Sequence, residues 1–448
     1  MPSASEIIAL FDSTAIALLL TTVVVFSIPV FILFPPIPVE LGDALQQTHS
    51  KVGIPASESN LRNQTSPEHN YQPDKAGKIQ SLLIYPVKSC QGIEVTNSKI
   101  LAKGFEFDRL FTFARQKASR AVTSGEEAEQ PKKPQWEILT LRQVPLLANV
   151  QVDLWLPDAS KTSRQLGRVG GRFIVIRFPW KDAGLRGTIQ WISAKLSRGF
   201  SGIPEKEFML SIDFPPPGEI KARGYQYEDT RFFEGTVHAL NLRNEVPPEL
   251  ARYLGVNVPT TIFMIDPAQR REVFRNAPRK EDLGYQPTAD FQDVYPLNVL
   301  SLTSVRALES KVQKDDGLKF LDARRFRPNI IVSGLKEYDE DDWRRIEFSQ
   351  PSQSATAPGS KSQFDVSGRA VRCKLPNVDP ATGIRHKVEP DNSLRKYRAI
   401  DGGAPGKGCF GMQLCPIFSS TDKPEDMELS LEVGMEIKVL ERGQHWAL

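Results

Sequence analysis

Cysteine is scarce in this chain: Cys90, Cys373, Cys409 and Cys415 are the only four in 448 residues. Thiols so thinly spread make no disulfide framework, and a reducing compartment is expected for the globular part. No Cys-x-x-Cys pair occurs and the five histidines are scattered, which excludes a zinc-type ligand cluster. Charge excess is missing too. A formal net charge of +3 gives no basic field to hold nucleic acid, so no nucleic-acid partner is expected. Most locally, Asp, Glu, Lys and Arg are all absent between Ser13 and Val39.

That gap holds the apolar run Ala15–Phe34, close to the roughly 20 residues a helix needs to cross a bilayer. Residues 1–14 contain no Lys or Arg, and Phe34-Pro35-Pro36-Ile37-Pro38 follows. Neither flank suits a cleaved signal peptide. The expectation is a membrane anchor over 1–40, with a transmembrane helix at about 14–36 kinked at Pro29. Lys51 lies on the C-terminal side, a slight positive-inside bias that puts the bulk of the chain in the cytosol. Residues 41–77 are polar and short of aromatics, and read as a flexible tether.

Ordered structure is expected from Ile79, where an apolar run to Tyr85 is closed by Pro86. Val150–Leu156 and Phe173–Phe178 alternate as half-buried strands do, and Ala183–Leu196 has the spacing of an amphipathic helix. Residues 116–135 and 350–363 read as surface loops, and 157–235 carry no functional signal. The alternation of Leu429–Val439 around Gly434 fits a hairpin or a barrel strand.

Chemistry concentrates in a few places. In Val371-Arg372-Cys373-Lys374-Leu375-Pro376-Asn377-Val378-Asp379-Pro380-Ala381-Thr382-Gly383 a cysteine follows an arginine and enters a loop stiffened by Pro and Gly. A neighbouring cation or a metal favours the thiolate, although a lone cysteine is more often a buried structural one. Arg327 and Asn329 flank Pro328 ahead of an apolar strand, and a guanidinium fork suits phosphate or another oxyanion. A solvated basic turn is the ordinary alternative, and Arg324 and Arg325 stay open. Lys88-Ser89 offers an ammonium and a hydroxyl after the first strand, and Asp108-Arg109 precedes Leu110–Phe113.

Taken together, Tyr85–Cys90, Asp108-Arg109, Phe326–Ile330, Arg372-Cys373 with Val378-Asp379-Pro380-Ala381-Thr382-Gly383, and Phe410-Gly411 resemble, in order and spacing, the MOSC domain family. That family includes the mitochondrial amidoxime-reducing components and the C-terminal part of molybdenum cofactor sulfurases. The resemblance covers about residues 78 to 440. It implies a mainly β fold with some α (α+β): after the N-terminal transmembrane helix, a MOSC-associated β-rich N-terminal domain over 78–240, then a MOSC β-barrel domain over 241–448. It implies a molybdenum-pyranopterin (molybdopterin) cofactor, with Cys373 as catalytic residue and thiolate ligand of the metal. Lys88, Ser89, Arg109, Arg327, Asn329 and Arg372 would hold pterin and phosphate. Where relatives commonly place a Thr-Ser pair against the cofactor, this chain has Val294 and Tyr295, which puts side-chain contact there in doubt.

The activity so implied is reduction of small N-hydroxylated compounds, with a b-type haem cytochrome and its flavin reductase as electron donors. The implied location is a single-pass protein of the mitochondrial outer membrane facing the cytosol, the endoplasmic reticulum being the other candidate. A cofactor carrier of the sulfurase C-terminal type, without turnover, is the alternative. No pyridoxal-phosphate domain fits ahead of residue 78, so that cofactor enters only as a property of the superfamily.

Overall fold

A computed structural model describes residues 13–33, 40–117, 135–162, 170–232, 235–351 and 361–446. Side chains of 28–33 lie outside that set, as do most of the expected loops at 116–135 and 350–363. The chain divides into two units, one of residues 1–44 with 180–206, the other of 45–179 with 207–448.

The larger unit is built on two barrels. In the first, seven strands close in the order Ile330–Ser333, Leu297–Ser301, Cys409–Ile417, Ser362–Val371, Trp343–Ser349, Glu436–Arg442 and Lys78–Ile84, and the last pairs back to the first. Lys78–Ile84 thus belongs to the barrel made otherwise from the C-terminal half. Its burial explains the apolar run: Ile79, Leu82, Leu83 and Ile84 are all inside, which a strand with neighbours on both edges and cover on both faces demands. All pairings are antiparallel except Leu297–Ser301 with Ile330–Ser333, which are parallel and joined through the helix Leu302–Glu309. That helix buries Leu302, Val305 and Leu308 against Leu83, Tyr85, Phe326, Ile331 and Phe410.

The second barrel closes five strands, Gln226–Phe232, Gly235–Asn241, Thr260–Met264, Phe111–Gln116 and Trp136–Ile138, around Ala114, Trp136, Phe232, Val237, Phe263 and Phe291. It draws on residues on both sides of position 240, the expected domain boundary. The Leu429–Val439 segment is no hairpin. Leu429–Glu432 pairs with Asn97–Leu101, while Glu436–Arg442 enters the first barrel.

Residues 45–77 are not a tether. His49–Val52 adds to the strand Gln151–Pro157, His49 is fully buried, and Leu61 joins the barrel core. Gln64 donates to Asp322 Oδ1 at 3.0 Å and accepts from the Ala323 amide at 3.0 Å. The low apolar content of this stretch concealed it, because its contribution is backbone pairing and, Leu61 apart, polar buried side chains: Thr48, His49, Gln64 and His69.

In the smaller unit the uncharged helix Ser13–Leu33 is present where an anchor was expected. The transmembrane assignment itself is not carried through: among the described residues no helix is long and apolar enough to cross a membrane. The expected amphipathic helix is present as Gly184–Arg198.

Candidate functional site

Lys88, Ser89, Arg109, Arg327, Asn329, Arg372 and Cys373 all line one cleft in the larger unit, of about 850 Å³ including the solvent at its mouth. Cys373 is half-buried, whereas Cys90, Cys409 and Cys415 are buried thiols that burial pushes up to about 12, 11 and 12. Cys373 is therefore the thiol placed for chemistry. Its position follows from the strand Ser362–Val371, which ends one residue before Arg372, and from the turn Leu375–Asn377 beyond it.

Arg372 spends its guanidinium on the protein. Nε donates to Phe410 O at 2.7 Å, Nη1 to Phe326 O at 3.0 Å and Nη2 to Asn298 Oδ1 at 3.2 Å. Burial lowers its pKa to about 10, with Cys373 pulling the other way. It is thus a fixed positive charge beside the thiol. Gly411 allows this: it sits at φ 77°, and a Cβ there would meet Val299 O at 2.6 Å and Arg372 Nη2 at 3.1 Å. The Phe-Gly pair read from the sequence is a clearance for Arg372.

Arg327 behaves differently. Its guanidinium carbon stands 4.2 Å from the centre of the Tyr85 ring, and Arg109 stands 4.3 Å from the same ring. Arg109 is held by Asp108 at 2.6 Å and by Arg327 O at 3.3 Å. Arg327 Nη2, however, is buried without any hydrogen-bond partner among the described residues. Burial lowers the Arg327 pKa to about 10, since a charge out of water and short of acceptors is costly. An anionic or oxygen-rich ligand in the cleft would supply the missing acceptor.

Backbone strain marks the same place. Of the four described non-glycine residues with left-handed φ, three line the cleft: Ser89 at 70°, Arg109 at 52° and Arg327 at 51°. Each costs on the order of 1 kcal/mol or more and persists only where the surroundings impose it, a pattern that clusters at ligand sites.

Two expected ligand-holding residues are occupied otherwise. Lys88 is buried, ion-paired to Asp293, and donates to Phe291 O at 2.8 Å. Burial lowers its pKa and Asp293 opposes that. Asn329 donates to Leu83 O at 3.2 Å and accepts from the Asn298 amide at 3.2 Å, stitching the barrel together beneath the cleft. Val294 and Tyr295 do reach the wall, but the Tyr295 hydroxyl accepts from the Asn276 amide, with burial raising its pKa to about 12.

Arg325 was left open by the sequence and proves structural. Its buried guanidinium pairs with Asp379 at 2.6 Å and donates to the carbonyls of Pro376 and Asn377 at 3.2 and 3.3 Å. Asp379 also accepts from the amides of Ala381 and Thr382 at 3.0 and 2.9 Å, the turn an Asp-Pro-x-Thr sequence favours. Val-Asp-Pro-x-Thr-Gly is thus a clamped loop that fixes where the chain leaves Cys373. Arg398, on the chain between Gly383 and Phe410, lies outside the cleft lining: it pairs with Asp341 at 2.6 Å and stacks 4.1 Å from the Tyr338 ring.

Comparison with known proteins places the chain in a family. Residues 76–166 match the MOSC N-terminal beta barrel domain and residues 286–438 the MOSC domain. Mitochondrial amidoxime-reducing component 1 of Mus musculus is 24% identical over 344 residues, 75% of this chain and 75% of that protein. Its Homo sapiens counterpart is 24% identical over 334 residues, 73% and 74% of the two chains. A molybdenum cofactor sulfurase of Oryza sativa is 23% identical over 345 residues, 75% of this chain but 32% of the longer protein. With both domain matches placed around the cleft that gathers Cys373, Arg327 and Arg372, the chain is a MOSC domain protein that resembles the mitochondrial amidoxime-reducing components.

Proposed function

We propose that the chain is a molybdenum-dependent oxidoreductase that reduces small N-hydroxylated compounds. The observation that carries this reading is the half-buried thiol of Cys373 beside a pre-positioned Arg372, across a cleft that also holds the unpartnered Nη2 of Arg327. The donor set fits a pterin-type cofactor: a soft thiolate for the metal, and guanidinium groups for phosphate and ring oxygens. When bound, the cofactor would supply the two-electron oxygen-atom chemistry.

This chain's own residues do the rest. Cys373 would ligate the metal as thiolate, with the guanidinium of Arg372 next to it in the chain. Arg327 would donate Nη2 to a ligand oxygen, and Arg109, locked by Asp108, would present its edge beside it. Ser89 would offer its hydroxyl from a strained backbone position. Lys88 and Asn329 would act behind the wall, holding Asp293 and the Leu83–Asn298 backbone in place. Val294 and Tyr295 would meet the ligand with apolar surface rather than with hydroxyls.

Reduction of an amidoxime to an amidine takes two electrons and two protons and releases water. In this reading the electrons come from a b-type haem cytochrome and its flavin reductase. The uncharged helix Ser13–Leu33 supports attachment to a membrane, and the names of the relatives favour the mitochondrial one. Similarity to a sulfurase supports the second reading, a cofactor carrier without turnover.

The test is molybdenum content by plasma mass spectrometry together with benzamidoxime turnover, for the full chain and its Cys373→Ala variant, both made in a host that synthesises the cofactor. Near-stoichiometric metal with turnover, both reduced in the variant, supports the reductase. Metal without turnover supports the carrier. Absence of molybdenum and pterin from the wild-type chain overturns both.

A further inference from the structure

The helix Gly184–Arg198 carries an apolar stripe that none of the described residues covers. Leu185, Ile189, Ile192 and Leu196 recur at the spacing of one helix face, and all four are exposed, Leu185 to 84% and Leu196 to 76%. Phe200, just beyond the helix end at Gly199, is 96% exposed, and Ile203 is exposed as well. The opposite face is the buried one, through Gly187 and Ala194. An isolated exposed leucine is ordinary, but six large apolar groups along one edge are not.

The charges within the helix have one sign, while outside it Asp182 stands 3.8 Å from Arg186, and Glu40 and Glu205 pair with Arg198. The helix holds Arg186, Lys195 and Arg198 and no acidic residue. Arg186 is almost fully solvated, and Lys195 lies 5.7 Å from the ring of Trp191. Leu and Ile on one face with Arg186 and Lys195 at its borders is the pattern of a helix lying in a membrane interface, where apolar side chains enter the acyl boundary and cations meet anionic headgroups.

Chain geometry points to the same occupant. Residues 184–198 belong to the same unit as the uncharged helix Ser13–Leu33. Glu40, seven positions after Leu33, accepts from Arg198 Nη2 at 2.8 Å. Seven residues reach at most about 25 Å, so the end of the apolar helix is tied close to the end of Gly184–Arg198 whatever path the intervening chain takes.

We infer that Gly184–Arg198 is a membrane-surface helix whose Leu185–Ile189–Ile192–Leu196 face, with Phe200, lies on an anionic lipid bilayer. It is a second attachment beside the apolar helix Ser13–Leu33. This inference shares the membrane attachment of the proposed function and is independent of the reductase reading.

The test uses the full chain carrying Leu196→Trp, reconstituted in vesicles of brominated phosphatidylcholine with and without phosphatidylserine. Relative to the wild type, the added indole should emit to the blue and lose emission by at least twofold to bromine quenching. Adding Arg186→Glu and Lys195→Glu should return quenching in phosphatidylserine vesicles to the level in neutral ones. A chain that does not cofractionate with vesicles overturns both the inference and the membrane attachment. A chain that cofractionates while the added indole stays unquenched overturns this inference alone. A blue-shifted indole in the absence of lipid, with a dimer by sedimentation, assigns the face to a second copy and overturns it as well.

Discussion

Arg325 closes on Asp379 at 2.6 Å, and the ion pair ties the turn Ala323–Phe326, just ahead of Asn329, to the loop leaving Cys373. Neither residue touches the thiol. The pair nevertheless sets the thiol's position, because Arg325 also holds the carbonyls of Pro376 and Asn377, three and four residues past Cys373.

Arg325→Met should therefore cost about 2–4 kcal/mol, since it strands a partly buried carboxylate and two carbonyls. Urea unfolding checks the stability, and molybdenum content checks the site. The variant should lose metal under conditions where the wild type is still fully folded.

Gly411→Ala forces a Cβ against Val299 O at 2.6 Å and against Arg372 Nη2, from a left-handed backbone. A loss of about 1–3 kcal/mol is expected. Turnover should fall further than stability accounts for, as judged by comparing specific activity per bound molybdenum with the thermal midpoint.

Arg327→Met should separate stability from ligand binding. The unpartnered Nη2 is a burden on the ligand-free protein, offset in part by its stacking on Tyr85. The ligand-free variant should be as stable as the wild type or up to about 1 kcal/mol more stable. Its cofactor affinity should drop about tenfold or more, because the guanidinium fork is gone. Calorimetry of the ligand-free chain and pterin retention after dialysis measure the two sides.

Glu340 provides a pH signature remote from the cleft. Burial raises its pKa from 4.5 to about 7, partly opposed by the hydrogen bond it accepts from Ser304 at 2.8 Å. A carboxyl raised on folding binds its proton more tightly in the native state, so stability falls as pH climbs from about 4.5 through 7. The slope from this one group approaches about 1.4 kcal/mol per pH unit. Glu340→Gln should flatten the unfolding free energy over that window, read by denaturant titration at several pH values.

The parts legible in the sequence are those whose signal is local. Alternation placed the strands, and the runs around Arg327, Arg372 and Cys373 placed the cleft. What was hidden depends on partners far along the chain. Lys88 looks available until Asp293, 205 positions later, meets it. Asn329 looks like a ligand until Leu83 and Asn298 use both ends of its amide. Arg325 looks like a solvated basic residue until Asp379 arrives. Residues 45–77 look loose because one buried leucine and a four-residue strand leave no periodic trace.

The closure of the larger barrel also imposes an order on biosynthesis. Lys78 pairs with Glu436, 358 positions later, in the strand that completes the ring. At ~5–20 residues per second, the ribosome takes roughly 20–70 s to deliver that partner. Throughout that wait the edge of Lys78–Ile84 that Glu436–Arg442 will cover stays open to wrong pairing. The cleft, lined by residues from Lys88 to Gln413, is likewise complete only late in synthesis.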